Sequence, residues 1–376
     1  MLRNFYHNQL NEQGKEAYRQ MYAALRRGQM ECSVSVSQEQ AREVWKAVVF
    51  DHPELISYAG LFFFARVSAG TVRVLFDYAD VDRAAFEEKL QSLVEDINQK
   101  VPRNADEYTL IKAIFDRLAS MVEYEDDVLD LFFECMGQEI REPEDVALLA
   151  EHAISFTPYG VLMRGKGVCQ GIAKLFKCLC DSFSLECAVV LADYTKYGST
   201  ETGNHMLNVV EVDGERLFVD VTNCLKSTAL PFVRYDYFLM PTRVMEKSFS
   251  FFTAFECLDE SKSYFARNGL WFKTKKEMEN YLTSYLTHRK GQHLNFRYDG
   301  DLLDDRQLED FFVEVCGDYA SHGWEMRFWQ VESGCCAGLL TDDERLLDAI
   351  DKKLKKERDE KKYKRFLKRE DNHERN

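Results

Sequence analysis

Apolar residues recur with helical spacing from about Asn11 to Arg27, and the run stops at Gly28. Alternation takes over in ECSVSVS, a strand by its period of two. A second helical stretch, SQEQAREVWKAVVF, opens at Ser37, a residue suited to capping it. YAGLFFFARV and TVRVLFDY read as two strands joined at Ala69-Gly70. The charged amphipathic run DVDRAAFEEKLQSLVEDINQKV predicts a helix ending before Pro102. Residues 1–102 are therefore expected to form an α+β lead-in domain.

A second unit is expected over 103–265. Leu110, Ile114, Leu118 and Val122 fall four apart, and Ile111 and Phe115 widen their stripe, so a helix buries that face. After a loop and a short helix near 145–155 comes GKGVCQGIAKLFKCLCDSF, where Ile172, Phe176, Leu179 and Phe183 mark one buried helical face. Four strands follow: CAVVLAD, HMLNVVEV, RLFVDV and YDYFLMP. The remainder, 266–376, reads helix (KTKKEMENYLTSYLTH), strand (HLNFRYD), helix (DDRQLEDFFVEVC), two strands (EMRFWQVE, CCAGLL) and a basic helix. That pattern is a small α+β domain without a chemical motif, its SGCC pair expected in the core.

At 376 residues the chain exceeds the usual size of one core, and 45% hydrophobic with 30% charged residues is a globular composition. A formal charge of −15 opposes nucleic-acid binding, since a polyanion is repelled over most of the surface. Residues 351–370 run the other way, with eleven Lys/Arg against five Asp/Glu. They read as a solvated helix laced with i,i+4 ion pairs, the alternative being a basic arm for an acidic partner or membrane surface. No uncharged apolar run approaches the ~18 residues of a membrane span, and the N-terminal stretch has no apolar signal segment. Eleven cysteines, an odd number without paired C-x-x-C spacing, and eight scattered histidines fit reduced thiols in a cytoplasmic protein. Nothing in the pattern calls for a metal or a cofactor.

Cys169 stands apart from the other thiols. It falls in the first turn of its helix, just after RGKG, where orphan N–H groups and the positive end of the helix dipole favour a thiolate. Gly165 and Gly167 are expected to let the entering chain turn tightly and to leave room beside the sulfur. Cys178, Cys180 and Cys187 read as small buried hydrophobes. A base is supplied by HMLNVVEVDGERLFVDVT, where Asp213-Gly214 signals a type I′ turn. With those two residues as the loop, Val212 faces Glu215, Asp220 lies opposite Leu207, and His205 lies opposite Thr222. His205 and Asp220 then share one sheet face as diagonal neighbours. Val209 and Phe218 make that face apolar, as expected of one packed on a helix. Nucleophile, base and orienter follow as Cys169, His205 and Asp220.

YGVLMRGKGVCQGIAKLF resembles the nucleophile segment of the transglutaminase-like (papain-related) superfamily, with its upstream Tyr-Gly and its Val-Cys-Gln-Gly core. HMLNVVEVDGERLFVDVT is similar to that family's His–hairpin–Asp segment, with Asn208 and the Asp-x-Thr ending in place, and YDYFLMP resembles the strand that follows in bacterial members. The resemblance covers about 105–245. It implies an α+β papain-like core, a helix bearing the cysteine packed on an antiparallel sheet bearing His and Asp, with α+β accessory domains at both ends. It also implies Cys169 as nucleophile, His205 as base and Asp220 as orienter, with the Cys169 N–H and a second donor at the oxyanion. Tyr159 is the candidate for that donor, and Gln170 and Asn208 are carried as oxyanion or substrate positions. Two departures stand out: Leu207 replaces the aromatic two residues after the histidine, and Asn223-Cys224 replaces the aromatic-Asp that follows Asp-x-Thr.

The expected activity is cysteine-dependent acyl transfer on a protein or peptide substrate. Hydrolysis is favoured over cross-linking, since the chain has no evident calcium loop or large β-sandwich. The alternative is a non-catalytic module that keeps the fold to bind a peptide or partner.

Overall fold

The computed structural model describes residues 2–60, 64–68, 71–125, 128, 153–195, 202–227, 232–288, 293–299, 325–332, 335–341, 343–352 and 355. The helix expected at 304–316 and most of the basic run lie outside them. Of the short helix expected near 145–155, only a 3₁₀ turn, Ala153–Phe156, lies within.

Helix α1 (Glu12–Arg26) starts where the Asn11 side chain accepts the Gly14 N–H at 2.8 Å. Strand β1 (Glu31–Val34) follows, then α2 (Gln38–Asp51), capped by Ser37 through the Gln40 N–H at 3.1 Å. With β2 (Phe64–Ser68) and β3 (Thr71–Leu75) the first strand forms an antiparallel sheet ordered β1-β3-β2. Two long helices follow, α3 (Arg83–Lys100) and α4 (Glu107–Met121). The apolar cluster of α1, α2 and β3 also takes in Ala173, Val189 and Met206, so the N-terminal elements seal against the segment that carries Cys169.

Strand β4 (Glu123–Tyr124) pairs with β5 (Lys166–Gly167), with the short helix α5 (Pro158–Arg164) between them. Helix α6 (Cys169–Ser182) is buried all round from Gln170 to Cys180, including Lys174 and Lys177. Period-based reading foresaw only one buried face. The main sheet holds β6 (Cys187–Thr195), β7 (Thr202–Val212), β8 (Glu215–Val219), β9 (Phe238–Met240) and β10 (Phe249–Phe251), antiparallel in the order β10-β6-β7-β8-β9. Asp213 and Gly214 both take positive φ, 53° and 80°, as a type I′ turn requires. The β7–β8 ladder runs from Val212–Glu215 to Asn208–Val219, the register counted from the turn.

One expectation about this sheet is corrected. Phe218 of β8 and Phe251 of β10 lie three strands apart in the sheet order, yet their rings stack with centroids 4.4 Å apart. The sheet therefore curls, and the face bearing Phe218, Val209 and His205 is its inner face, closed on itself. Helix α6 packs on the other face: Asn208, which alternation points away from Val209, donates to the Ala173 carbonyl at 3.0 Å.

The last elements are β11 (Trp271–Phe272), α7 (Lys275–His288), β12 (His293–Tyr298), β13 (Glu325–Glu332) and β14 (Cys335–Thr341). Their sheet runs β11-β12-β14-β13. The fold class is α+β, as expected, with the sheets antiparallel except at the parallel pairs β4–β5 and β11–β12. Among the described residues no helix is long and apolar enough to cross a membrane.

Candidate active site

Local sequence places Cys169 at the rim of the curled sheet. Gly165 caps α5 in the left-handed conformation, φ 73°, and its N–H donates to the Val161 carbonyl at 2.9 Å. Gly167 and Gly171 serve close approach rather than space at the sulfur. A Cβ at Gly171 would lie 2.5 Å from the Ser155 carbonyl oxygen, and one at Gly167 would lie 2.6 Å from Val161. The start of α6 is thus pressed onto the turn at 153–157, which fixes where the Cys169 sulfur emerges.

The sheet end supplies the other groups. The β7–β8 ladder stops at Asn208–Val219, and Met206 lies two residues beyond that end, where its N–H donates to Cys169. His205, next along the strand, hydrogen-bonds the sulfur with its ring. Its Nε2 meets Asp220 Oδ2 at 2.8 Å, which leaves Nδ1 for Cys169. His205 and Asp220 are buried, and the sulfur's residue is half-buried. Tyr194 and Phe249 wall the imidazole, with ring centroids at 5.3 Å and 5.8 Å.

The electrostatics favour an ion pair. Burial pushes the Cys169 thiol up, but the His205 imidazolium, its hydrogen bond and the Met206 N–H together hold it below its ordinary value. Burial pushes His205 down, and the Asp220 and Cys169 charges more than reverse that, raising it to about 10. Burial pushes the thiols of Cys178, Cys180, Cys224 and Cys257 upward instead. A lowered thiol beside a raised imidazole favours a thiolate–imidazolium pair, an arrangement suited to attack on a carbonyl carbon and protonation of its leaving group.

The other sequence candidates go elsewhere. Tyr159 joins the main apolar core, its ring 6.2 Å from that of Phe86. Gln170 donates through Nε2 to the Ala59 carbonyl, which also takes Lys174 Nζ at 2.5 Å. Asn208 is a clamp between helix and sheet, also reaching the Ala188 carbonyl at 3.4 Å and Cys187 Sγ at 3.6 Å. Sequence reasoning missed Met206, whose backbone N–H leaves no residue signature. It also missed Tyr194, Phe249 and Asn223. Strand β10, at three residues, is too short to show a period, whereas Asn223 was visible as a departure from the family pattern.

No protein-family model matches the chain, and no curated protein matches it. Solved structures similar to it include a TGase, 13% identical over 43% of each chain, with a TM-score of 0.29. A candidate cysteine protease from Cytophaga hutchinsonii is 13% identical over 43% of this chain and 61% of its own, with a TM-score of 0.24. A candidate protease from Parabacteroides distasonis is 12% identical over 43% of this chain and 36% of its own, with a TM-score of 0.22. The chain spans less than two thirds of the length of each.

Proposed function

We propose that the chain is a cysteine-dependent acyl-transfer enzyme acting on peptide or amide bonds, with hydrolysis as its main outcome. The supporting observation is His205 standing between Cys169 and Asp220 with a lowered thiol on one side and a buried carboxylate on the other. The Cys169 thiolate attacks the carbonyl carbon and forms a C–S bond, while the oxygen takes the negative charge near the N–H groups that open α6. His205 gives its Nδ1 proton to the departing amine, the C–N bond breaks, and an acyl-thioester remains. Water then attacks that thioester, His205 accepts its proton, and the acid leaves as the thiolate returns. A primary amine in place of water would give transfer.

Brief iodoacetamide treatment near pH 6 followed by peptide mapping tests this reading. Cys169 is expected to be the dominant site among the eleven cysteines of the chain. Equal labelling of Cys178 or Cys335 overturns it and leaves the binding-module alternative.

A further inference from the structure

We infer that Asn223 is a positioning residue of this site, holding the Asp220 carboxylate so that Oδ2 faces His205. The inference rests on the active-site reading above. Asp220 follows the last residue of β8, where the ladder with β7 has already ended, so strand pairing no longer orients its side chain. Its own N–H donates to the Tyr237 carbonyl at 2.9 Å, which fixes the backbone only.

The carboxylate is held by Asn223 at both oxygens. The Asn223 N–H donates to Oδ1 at 3.2 Å, and its Nδ2 donates to Oδ2 at 2.7 Å. The first bond is an ordinary local one, in which an Asp side chain accepts the N–H three residues on, beside the turn Thr222–Cys224. The second is not needed by the turn. It converges on the same oxygen that meets His205 Nε2 at 2.8 Å, so two donors set the carboxylate's rotation.

Asn223 is in turn braced from outside. Arg234 Nη2 donates to its carbonyl, and Arg234 Nη1 pairs with the buried Asp236 at 2.7 Å. Asn295, on β12, donates to Asp236 at 2.7 Å and accepts the Tyr235 N–H at 2.8 Å. Among the described residues, the titratable and charged groups around the carboxylate are His205 and, through it, Cys169; Tyr194 by the imidazole, and Tyr237, whose ring meets that of Tyr194; Cys224 in the same turn; and the Arg234–Asp236 pair.

The test is the pH profile of Cys169 alkylation in the full chain, with melting temperatures measured alongside. Asn223→Ala should slow the reaction at pH 6 about tenfold, the loss expected when one hydrogen bond to a charged group is removed. Asn223→Asp keeps the size and faces Asp220 with a second carboxylate. Its rate relative to the parent should be lowest near neutral pH and recover as the pH falls, because a protonated carboxyl can donate as the amide did. A bystander would lower the melting temperature and leave the relative profile flat. Parent-like profiles in both variants, with His205→Ala still losing the early reaction, overturn the role of Asn223 alone. An unchanged His205→Ala profile overturns the active-site reading, and this inference with it.

Discussion

Helix α6 carries three thiols and two lysines, and burial does not move them all toward the neutral form. Cys180 is pushed well up by burial next to Cys187, and Lys174 is pushed down to about 8. Both are driven toward their neutral forms, as desolvation requires. Cys169 and Lys177 resist: the His205 imidazolium lowers the one despite burial, and the Asp181 carboxylate raises the other despite burial. Asp181 shares the burden, its own carboxyl being pushed up by burial. Lys177 Nζ reaches Asp181 at 3.1 Å and the Cys187 carbonyl at 3.0 Å, whereas Lys174 Nζ donates to the neutral Ala59 carbonyl at 2.5 Å. In one apolar helix, then, an ionised partner decides which groups keep their charge.

Removing the partner of Cys169 should have the largest effect. His205→Ala is expected to raise the thiol and cut alkylation at pH 6 by about tenfold or more, since each pKa unit changes the thiolate fraction tenfold. The pH dependence of stability has a definite sign. His205, raised to about 10 on folding, stabilises the fold fully below its ordinary ~6.5 and loses that contribution as the pH rises through about 10. Cys169, lowered on folding, contributes above its ordinary ~8.5 and loses the contribution as the pH falls through its folded value. With Cys169 already replaced by Ala, so that only the His205–Asp220 term remains, the stability gap on adding His205→Ala should narrow from pH 6 to pH 10 in urea melts. A gap that widens would break the comparison at its strongest point.

The thiols themselves give the next effect. Cys180 is fully buried and Cys169 half-buried at the rim. Cys180→Ala should cost roughly 1 kcal/mol through lost packing, and Cys169→Ala less than about 0.5 kcal/mol. Urea melts of the two variants decide it. A costlier Cys169→Ala would make that sulfur one more packing atom.

Sequence reading reached the helix, the hairpin and its register because each carries a local signal: a four-residue apolar spacing, an Asp-Gly turn, and the parity that follows from a two-residue loop. It misassigned the face that α6 covers, because alternation tells which residues share a face and not what covers it. The curl of the sheet depends on contacts such as Phe218 with Phe251, between residues 33 positions apart, which no local period encodes. The buried lysines were invisible for a related reason. Lys174 and Lys177 sit at polar positions of an amphipathic pattern, and their burial depends on Ala59 from the N-terminal elements, Asp181 at the helix end and Cys187 at the start of β6.

The smallest expected effect is also the sharpest test of the partner rule. Lys174→Met keeps an unbranched chain of similar length in the same apolar slot. The Ala59 carbonyl retains the Gln170 amide as donor, so the substitution leaves no stranded acceptor. Because the folded protein holds Lys174 at about 8, against an ordinary ~10.4, the parent's stability should rise between those values as only the unfolded chain still binds the proton. Below about 8 the charged amine is disfavoured in the fold, and Lys174→Met should match or exceed the parent by up to about 1 kcal/mol. That advantage should shrink toward ~10.4, above which the neutral amine's bond to Ala59 favours the parent. Melts at pH 7 and pH 10 read it directly. If Lys174→Met is instead destabilised at pH 7 as much as Cys180→Ala, the Asp77 charge, which raises Lys174 against its burial, is a working partner, and Lys174 belongs beside Lys177.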